Sequence, residues 1–335
     1  MPQEKPALLV ITGPTATGKT SAGIEAALRL NGEIVSADSM MVYRGMDVGT
    51  AKPTAAEMKG VPHHLIDVVD PDEDFSVACY QELAEKHIQE ISARGKLPIL
   101  VGGTGLYVRA VLDHYHFVVG PDRALRRELQ DAARARGVAC LHGQLAGVDP
   151  VSAQRLHPNN VRRVIRALEV YYRTGRPLSS FQDRDHKTDP KYRTLVFGLI
   201  CDRDEMYRRI EKRVDEMLAA GLVEEVRRLI NRGYERNLPS MKGLGYKEIA
   251  AYLAGETGLD EAVETLKRNT RRFAKRQLTW FRRDERIIWL DVVAAGGPAG
   301  AAKEIVTEWQ EYQRLPRNSF AFDRNDFQRD RGQYP

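Results

Sequence analysis

The sequence predicts an α/β protein: a parallel sheet core covered by helices, with an all-helical domain inserted into it. Three observations carry that prediction. Short apolar runs at 8–11, 33–36, 98–101, 194–200 and 287–290 alternate with longer stretches of helical periodicity, the pattern of a parallel sheet covered on both faces. A loop, Gly13-Pro14-Thr15-Ala16-Thr17-Gly18-Lys19-Thr20, separates the first run from the first helix and fits G-x-x-x-x-G-K-[ST]. Between about 117 and 191 helical patterns follow one another with no convincing strand. The chain therefore reads as a phosphate-loop NTPase-like core built from residues 1–116 and 192–313, interrupted by a helical insertion at 117–191.

Leu8-Leu9-Val10-Ile11 is the first buried strand, and Ser21 to Leu30 carries Ala, Leu and Glu at helical spacing. The second strand, 33–36, leads to Ala37-Asp38-Ser39. Residues 40–75 are loop-rich, with turn signals at Gly45, Gly49, Pro53, Gly60, Pro62 and Pro71. Such a long loop inside an α/β core is usually functional. Phe75 to Arg94 reads as a helix capped by Ser76, and Gly95 stops it. The third strand, 98–101, runs into Gly102-Gly103-Thr104-Gly105. In the insertion, Pro121-Asp122 opens a basic helix to about Arg136, Asp149-Pro150 opens a second, and Asn159-Asn160 a third that ends before Gly175. The strand at 194–200 resumes the core. Helices follow at about 204–219, 221–232, 245–254 and 259–283, then the strand at 287–290 and a helix at about 298–313. Residues 316–335 have the polar composition of a disordered tail.

At 335 residues, 42% hydrophobic and 29% charged, the composition is that of a soluble globular protein, and no apolar run approaches a membrane span. A polar start, Met1 to Pro6, leads straight into the first strand with no signal peptide, and the expected location is cytoplasmic. Cys79, Cys140 and Cys201 lack metal-ligand spacing and read as free thiols. The net charge of +5 is modest, but Arg and Lys crowd into 123–136, 155–176, 203–213 and 267–286. That placement fits a polyanion or, equally, solvated helix faces.

The chemistry starts at the phosphate loop. Its glycines let successive N–H groups converge on an anion, and the following helix start adds its positive end. Lys19 supplies a cation and Thr20 a hydroxyl suited to Mg²⁺. The loop specifies a polyphosphate, without specifying ATP or a kinase. Asp38 lies just past the carboxyl end of the second strand, where open parallel sheets place their ligand crevice. It reads as a metal ligand or a general base, or else as a turn cap. The third strand ends without the carboxylate that phosphate-loop NTPases usually place there, which weakens an ATPase reading. A small-molecule kinase and a non-enzymatic RNA-binding protein remain rival readings. His63 and His64 fit either phosphate contact or structure, and Trp280 and Trp289 read as core.

Several segments together resemble the bacterial tRNA dimethylallyltransferases: the phosphate loop, Asp38-Ser39, 43–53, Pro62-His63-His64-Leu65-Ile66-Asp67, 101–107, Arg166-Ala167-Leu168-Glu169-Val170, Gly243-Leu244-Gly245-Tyr246 and 275–280. They span about residues 8–312 in the family's order. The resemblance implies transfer of a dimethylallyl group from dimethylallyl diphosphate to N6 of adenosine 37, beside the tRNA anticodon, with release of diphosphate. It implies that the insertion grips the anticodon stem-loop, and the enzyme is expected to act as a monomer with Mg²⁺ held at Thr20 and Asp38. Carried over to this chain, Gly13, Pro14, Thr15, Ala16, Thr17, Gly18, Lys19 and Thr20 hold the diphosphate, and Asp38 is the general base. Arg213 supports the leaving group, unless it is an exposed helix charge. The tRNA contacts implied are Asp38, Ser39, Met40 and Met41, then Thr104 and Arg126, then Arg162, Arg163, Val164, Ile165 and Arg166, and finally Lys242, Gly243, Leu244, Gly245, Tyr246 and Lys247. Met41 stands where many members of the family have Gln, which puts that side-chain contact in doubt.

Overall fold

The computed structural model describes residues 5–113, 119–120, 122–182 and 190–315. The chain runs β1 (Ala7–Thr12), α1 (Lys19–Leu30), β2 (Gly32–Ser36), α2 (Ala55–Met58), β3 (His63–His64), α3 (Val77–Ala93), β4 (Leu97–Val101) and α4 (Gly105–Leu112). Then come α5 (Arg123–Arg136), α6 (Val138–Val148), α7 (Pro150–Arg155), α8 (Val161–Thr174) and α9 (Ser179–Gln182). The remainder is β5 (Arg193–Ile200), α10 (Arg203–Ala219), α11 (Leu222–Asn231), α12 (Tyr246–Leu253), α13 (Leu259–Phe281), β6 (Ile287–Asp291) and α14 (Pro298–Arg314).

The six strands form one parallel sheet in the order β3-β2-β4-β1-β5-β6. Its strands read as unbroken apolar runs because both faces are covered. Along β1, Leu9 and Ile11 pack with Ala22 and Ile24 of α1 and with Ile305 and Trp309 of α14. Leu8 and Val10 point the other way, onto Tyr80 and Ile88 of α3 and Val108 and Val111 of α4. A third cluster joins α10–α13 to the loop after β2, through Val42, Met46, Val226, Leu229 and Ile249.

Between α4 and β5 the described residues form helices α5–α9, which build a separate apolar cluster from Leu129, Leu141, Leu145, Val164, Ile165 and Leu168. Their starts follow the capping signals. Asp122 Oδ1 accepts from the Leu125 N–H at 3.0 Å, and Asp149 accepts from the Ser152 N–H at 3.0 Å. Asn160 precedes α8 but caps nothing with its side chain. Helix α6 has no counterpart among the helices read from sequence, because Gly143 and Gly147 break its periodicity. The tail at 316–335 lies outside the described residues.

The carboxyl ends of β1, β2 and β4 come together at one edge of the sheet. A Cβ on Gly102 would sit 2.2 Å from the Ala37 carbonyl oxygen, so only glycine permits the approach. Hydrogen bonds lock it: Ala37 N–H to Val101 O at 2.8 Å, Thr104 N–H to Ala37 O at 3.0 Å, and Thr12 Oγ1 to Gly102 O at 2.9 Å. The phosphate loop, the Asp38 turn and the 102–104 loop therefore open on one crevice, as the strand-end rule requires.

The loop-rich stretch after β2 contains two short elements that local sequence does not reveal. One is α2, closed by a capping box between Thr54 and Glu57. The other is β3, whose two histidines pair with Ile34 and Val35 at the sheet edge. Each of these histidines has a protein contact through one ring nitrogen. His63 Nδ1 lies 2.8 Å from the Val61 carbonyl oxygen, and His64 Nε2 lies 2.7 Å from Glu33 Oε2. Glu33 is buried and also pairs with Arg94 at 2.7 Å and Lys96 at 3.0 Å. Burial pushes its carboxyl up, but hydrogen bonds from His64, Lys96 and Arg94 outweigh this and hold it down at about 2. A depressed carboxyl stabilises the fold above its ordinary value, and that contribution is lost as pH falls through the folded-state value. Equilibrium unfolding should therefore lose stability between about pH 4.5 and 2 through this group, and Glu33→Gln should flatten that part of the curve. An unchanged acid limb in Glu33→Gln would show that the cluster carries no such linkage.

Candidate active site

The phosphate loop takes the shape its sequence asks for. Gly13 has φ of +134°, and a Cβ there would lie 2.3 Å from the Leu199 carbonyl oxygen. Helix α1 starts at Lys19 behind a left-handed Gly18, so its first N–H groups are free of intrahelical partners. Thr17 Oγ1 donates to Pro14 O at 2.9 Å and tightens the loop, while Lys19 Nζ folds back onto the same carbonyl. Burial, reinforced by the charge of Arg213 and partly offset by Asp38, pushes the Lys19 ammonium down to about 7. Arg213, on α10, is half-buried and donates to Thr50 O at 3.4 Å. Burial lowers its value and the charge of Asp38 opposes the shift. The bland reading of Arg213 as an exposed helix charge does not hold.

The turn-cap reading of Asp38 has a hydrogen bond behind it. Its Oδ1 accepts from the Met40 N–H at 2.8 Å, the bond of a turn cap, and its charge acts on Lys19 and Arg213. Among the described residues Oδ2 accepts no hydrogen bond. The next residue is tied to the 102–104 loop: Ser39 N–H donates to Thr104 Oγ1 at 3.0 Å. Thr20 and Asp38 offer a hydroxyl and a carboxylate, the hard oxygen donors that Mg²⁺ takes when phosphate oxygens and water supply the rest. No cluster of three His, Cys, Asp or Glu side chains able to hold a metal occurs among the described residues.

Beside Thr104 a groove of about 730 Å³ opens between the core and the inserted helices. Ser39 and Thr104 line its core side, Arg163 and Arg166 of α8 its far side, and Phe273 and Trp280 of α13 its apolar wall. Trp280 is thus partly groove wall as well as core, while Trp289 packs against the sheet. The residues that the resemblance assigns to tRNA separate into two groups. Arg162, Arg163, Lys242 and Lys247 are exposed. Met41, Val164, Ile165 and Tyr246 turn their side chains inward, with relative exposures of 9%, 1%, 5% and 0%. Val164 and Ile165 fill the cluster of the inserted helices, Tyr246 fills the one around α10–α13, and the Met41 sulfur accepts from Ser36 Oγ. Gly243 and Leu244 are half-buried and Gly245 is buried, and the Met40 methyl lies where a Cβ on Gly243 would sit. Arg126 and Arg166 are both bound to the buried Glu169, at 2.8 Å and 2.6 Å.

The IPP transferase family model matches residues 41–284. The chain belongs to the IPP transferase family. It is 64% identical over 301 residues to a tRNA dimethylallyltransferase of Desulforudis audaxviator, covering 90% of this chain and 97% of that one. A tRNA dimethylallyltransferase of Geobacillus kaustophilus is 52% identical over 297 residues, covering 88% and 94%. Among solved structures, the tRNA isopentenylpyrophosphate transferase of Bacillus halodurans is similar with a TM-score of 0.68 and 47% identity, covering 93% of this chain and 99% of that one. A eukaryotic dimethylallyltransferase solved acting on tRNA gives a TM-score of 0.75 at 28% identity, covering 98% and 81%.

Three buried polar residues tie these loops and helices together, and the sequence assigned none of them a role. Glu225 accepts from the N–H groups of Asp47, Val48 and Gly49 and from Tyr246 Oη at 2.7 Å, fixing the loop whose Thr50 carbonyl meets Arg213. Glu169 ties Arg126 and Arg166 together. Gln277 lies between the phosphate loop and Gly103. For the two glutamates the available signal was a carboxylate set within the apolar stripe of an amphipathic helix.

A lysine held near 7 makes anion binding pH-dependent. A bound diphosphate favours the charged ammonium, so its affinity is flat below about pH 7 and falls as pH rises above it. Calorimetric titration with inorganic diphosphate in wild type and Lys19→Met should differ by that slope, the ligand's own ionisation cancelling in the comparison. Parallel pH profiles would return Lys19 to an ordinary exposed lysine.

Proposed function

We propose that this protein transfers the dimethylallyl group of dimethylallyl diphosphate to the N6 amino group of adenosine 37 in the tRNA anticodon loop, releasing diphosphate. The observation that carries the proposal is the convergence of the phosphate loop, the Asp38 turn and the 102–104 loop on one crevice, with the charge of Asp38 acting on Lys19 and Arg213, beside a groove walled by Phe273 and Trp280 and flanked by Arg163 and Arg166. The names of the relatives support the same reaction.

The chemistry follows from these groups. The loop N–H groups, Lys19 and Arg213 neutralise the charge that grows on the departing diphosphate as the allylic C–O bond breaks. Mg²⁺, held through Thr20 and Asp38, would add Lewis-acid stabilisation of that charge. The adenine amine is a weak nucleophile because its lone pair is delocalised into the ring. Asp38, through Oδ2, takes its proton as the N–C bond forms. One C–O bond is exchanged for one C–N bond, and the proton ends on the carboxylate. The base must leave its stack to reach the crevice, and the groove between core and insertion offers the way in. We assign the grip on the stem-loop to the inserted helices, whose Arg162 and Arg163 are free on the surface, together with Lys242 and Lys247 from the core.

The test is direct. An unmodified anticodon stem-loop incubated with the protein and dimethylallyl diphosphate should gain one dimethylallyl group by mass spectrometry, and a stem-loop lacking adenosine 37 should not. Asp38→Asn keeps the shape and the Met40 bond but removes the basicity. Its single-turnover rate should fall roughly a hundred- to ten-thousand-fold with RNA affinity little changed. A near-normal rate would remove Asp38 as the base. A rate restored by extra Mg²⁺ would make it chiefly a metal ligand.

A further inference from the structure

Gln277 lies on α13, far in sequence from the loops it touches. Its side chain is only 8% exposed, and both ends of the amide are used. Oε1 accepts from the Thr15 N–H of the phosphate loop at 2.9 Å, and Nε2 donates to Gly103 O at 2.8 Å. A side chain of this length that accepts at one end and donates at the other is met by glutamine alone. Glutamate has no donor, and the aliphatic residues have neither group.

The surroundings hold that bridge in register. A Cβ on Gly103 would lie 2.5 Å from Gln277 Nε2, and a Cβ on Gly105 would lie 2.2 Å from Trp280 Cδ1. Both glycines thus mark where α13 is seated against the loop after β4. One turn to either side, Ala274 and Phe281 are buried in the clusters beneath. The amide therefore spans the gap between the loop that binds the anion and the loop whose Thr104 holds the Asp38–Ser39 turn.

We infer that Gln277 is a positioning residue, which fixes the phosphate loop relative to the Thr104–Asp38 side of the crevice. Although Gln277 also lines the groove beside Thr104, in this role it acts through the two loops it bonds. By committing the Thr15 N–H it leaves the remaining loop N–H groups directed at the diphosphate. By anchoring Gly103 it keeps the acceptor side at a set distance. This inference rests on the function proposed above for what passes through the crevice.

A double-substitution cycle tests it, read as the affinity for inorganic diphosphate and the steady-state constants for both substrates. Gln277→Ala should weaken diphosphate binding roughly three- to tenfold, the effect of a hydrogen bond, and raise KM for dimethylallyl diphosphate with little change in KM for the stem-loop. Gly103→Ala should do the same, because the added methyl displaces the amide; its next nearest atom outside Gln277, Gly13 O, is 3.5 Å away. In the Gln277→Ala background the methyl has room, so the double variant should be no worse than Gln277→Ala alone. Gln277→Glu keeps the size, loses the donor and should weaken binding as the alanine does, which supplies the readout should a truncated protein fail to fold. Additive losses in the cycle, or equal effects on both substrates' KM, would overturn the inference. A wild-type enzyme that binds diphosphate but leaves the RNA unmodified would defeat the proposed function while the diphosphate cycle still judged Gln277.

Discussion

Strand ends packed closer than side chains allow are the constraint on which the rest depends. Gly13 lies against the Leu199 carbonyl and Gly102 against that of Ala37. A side chain at Gly13 would push the end of β1 away from β5, and one at Gly102 would push the end of β4 away from β2. Because they stay together, a lysine from the first helix, a carboxylate after the second strand and a hydroxyl after the fourth face one crevice, although they are separated by up to 85 residues, from 19 to 104.

That convergence sets an electrostatic balance. Two cations and one carboxylate share a partly buried space, and burial lowers the values of both cations. A partly buried site with surplus positive charge is poised for an anion, which would relieve the repulsion between Lys19 and Arg213. Glu225 serves the same balance from a distance, since its carboxylate is consumed by three backbone N–H groups and a phenol rather than facing the crevice. The positive charge is thereby left for the ligand.

Much of this was legible in the sequence, for physical reasons. Buried parallel strands must be apolar throughout, so the central strands announced themselves, and the strand–loop–helix order of 8–30 defined the phosphate loop. The position of Asp38 followed from where parallel sheets keep their ligands. What stayed hidden was either short or distant. A two-residue strand such as β3 shows no periodicity, and Gly143 and Gly147 masked α6. Gln277 bonds to a residue 262 positions away, which no local pattern can signal. Burial divided the RNA contacts implied by resemblance, since a motif carries Tyr246 along with Lys247 without saying which faces out.

The central claim is that donor and acceptor meet at Asp38 from opposite sides of one crevice. A crystal structure with a non-reactive thio analogue of dimethylallyl diphosphate and an anticodon stem-loop tests it most directly. The diphosphate should lie on the N–H groups of 13–20 with Lys19 swung off the Pro14 carbonyl, and the extruded adenine should enter between Thr104 and Arg166 with its amino nitrogen within about 3.2 Å of Asp38 Oδ2. An adenine bound elsewhere, with Asp38 still committed only to its turn, would contradict the account.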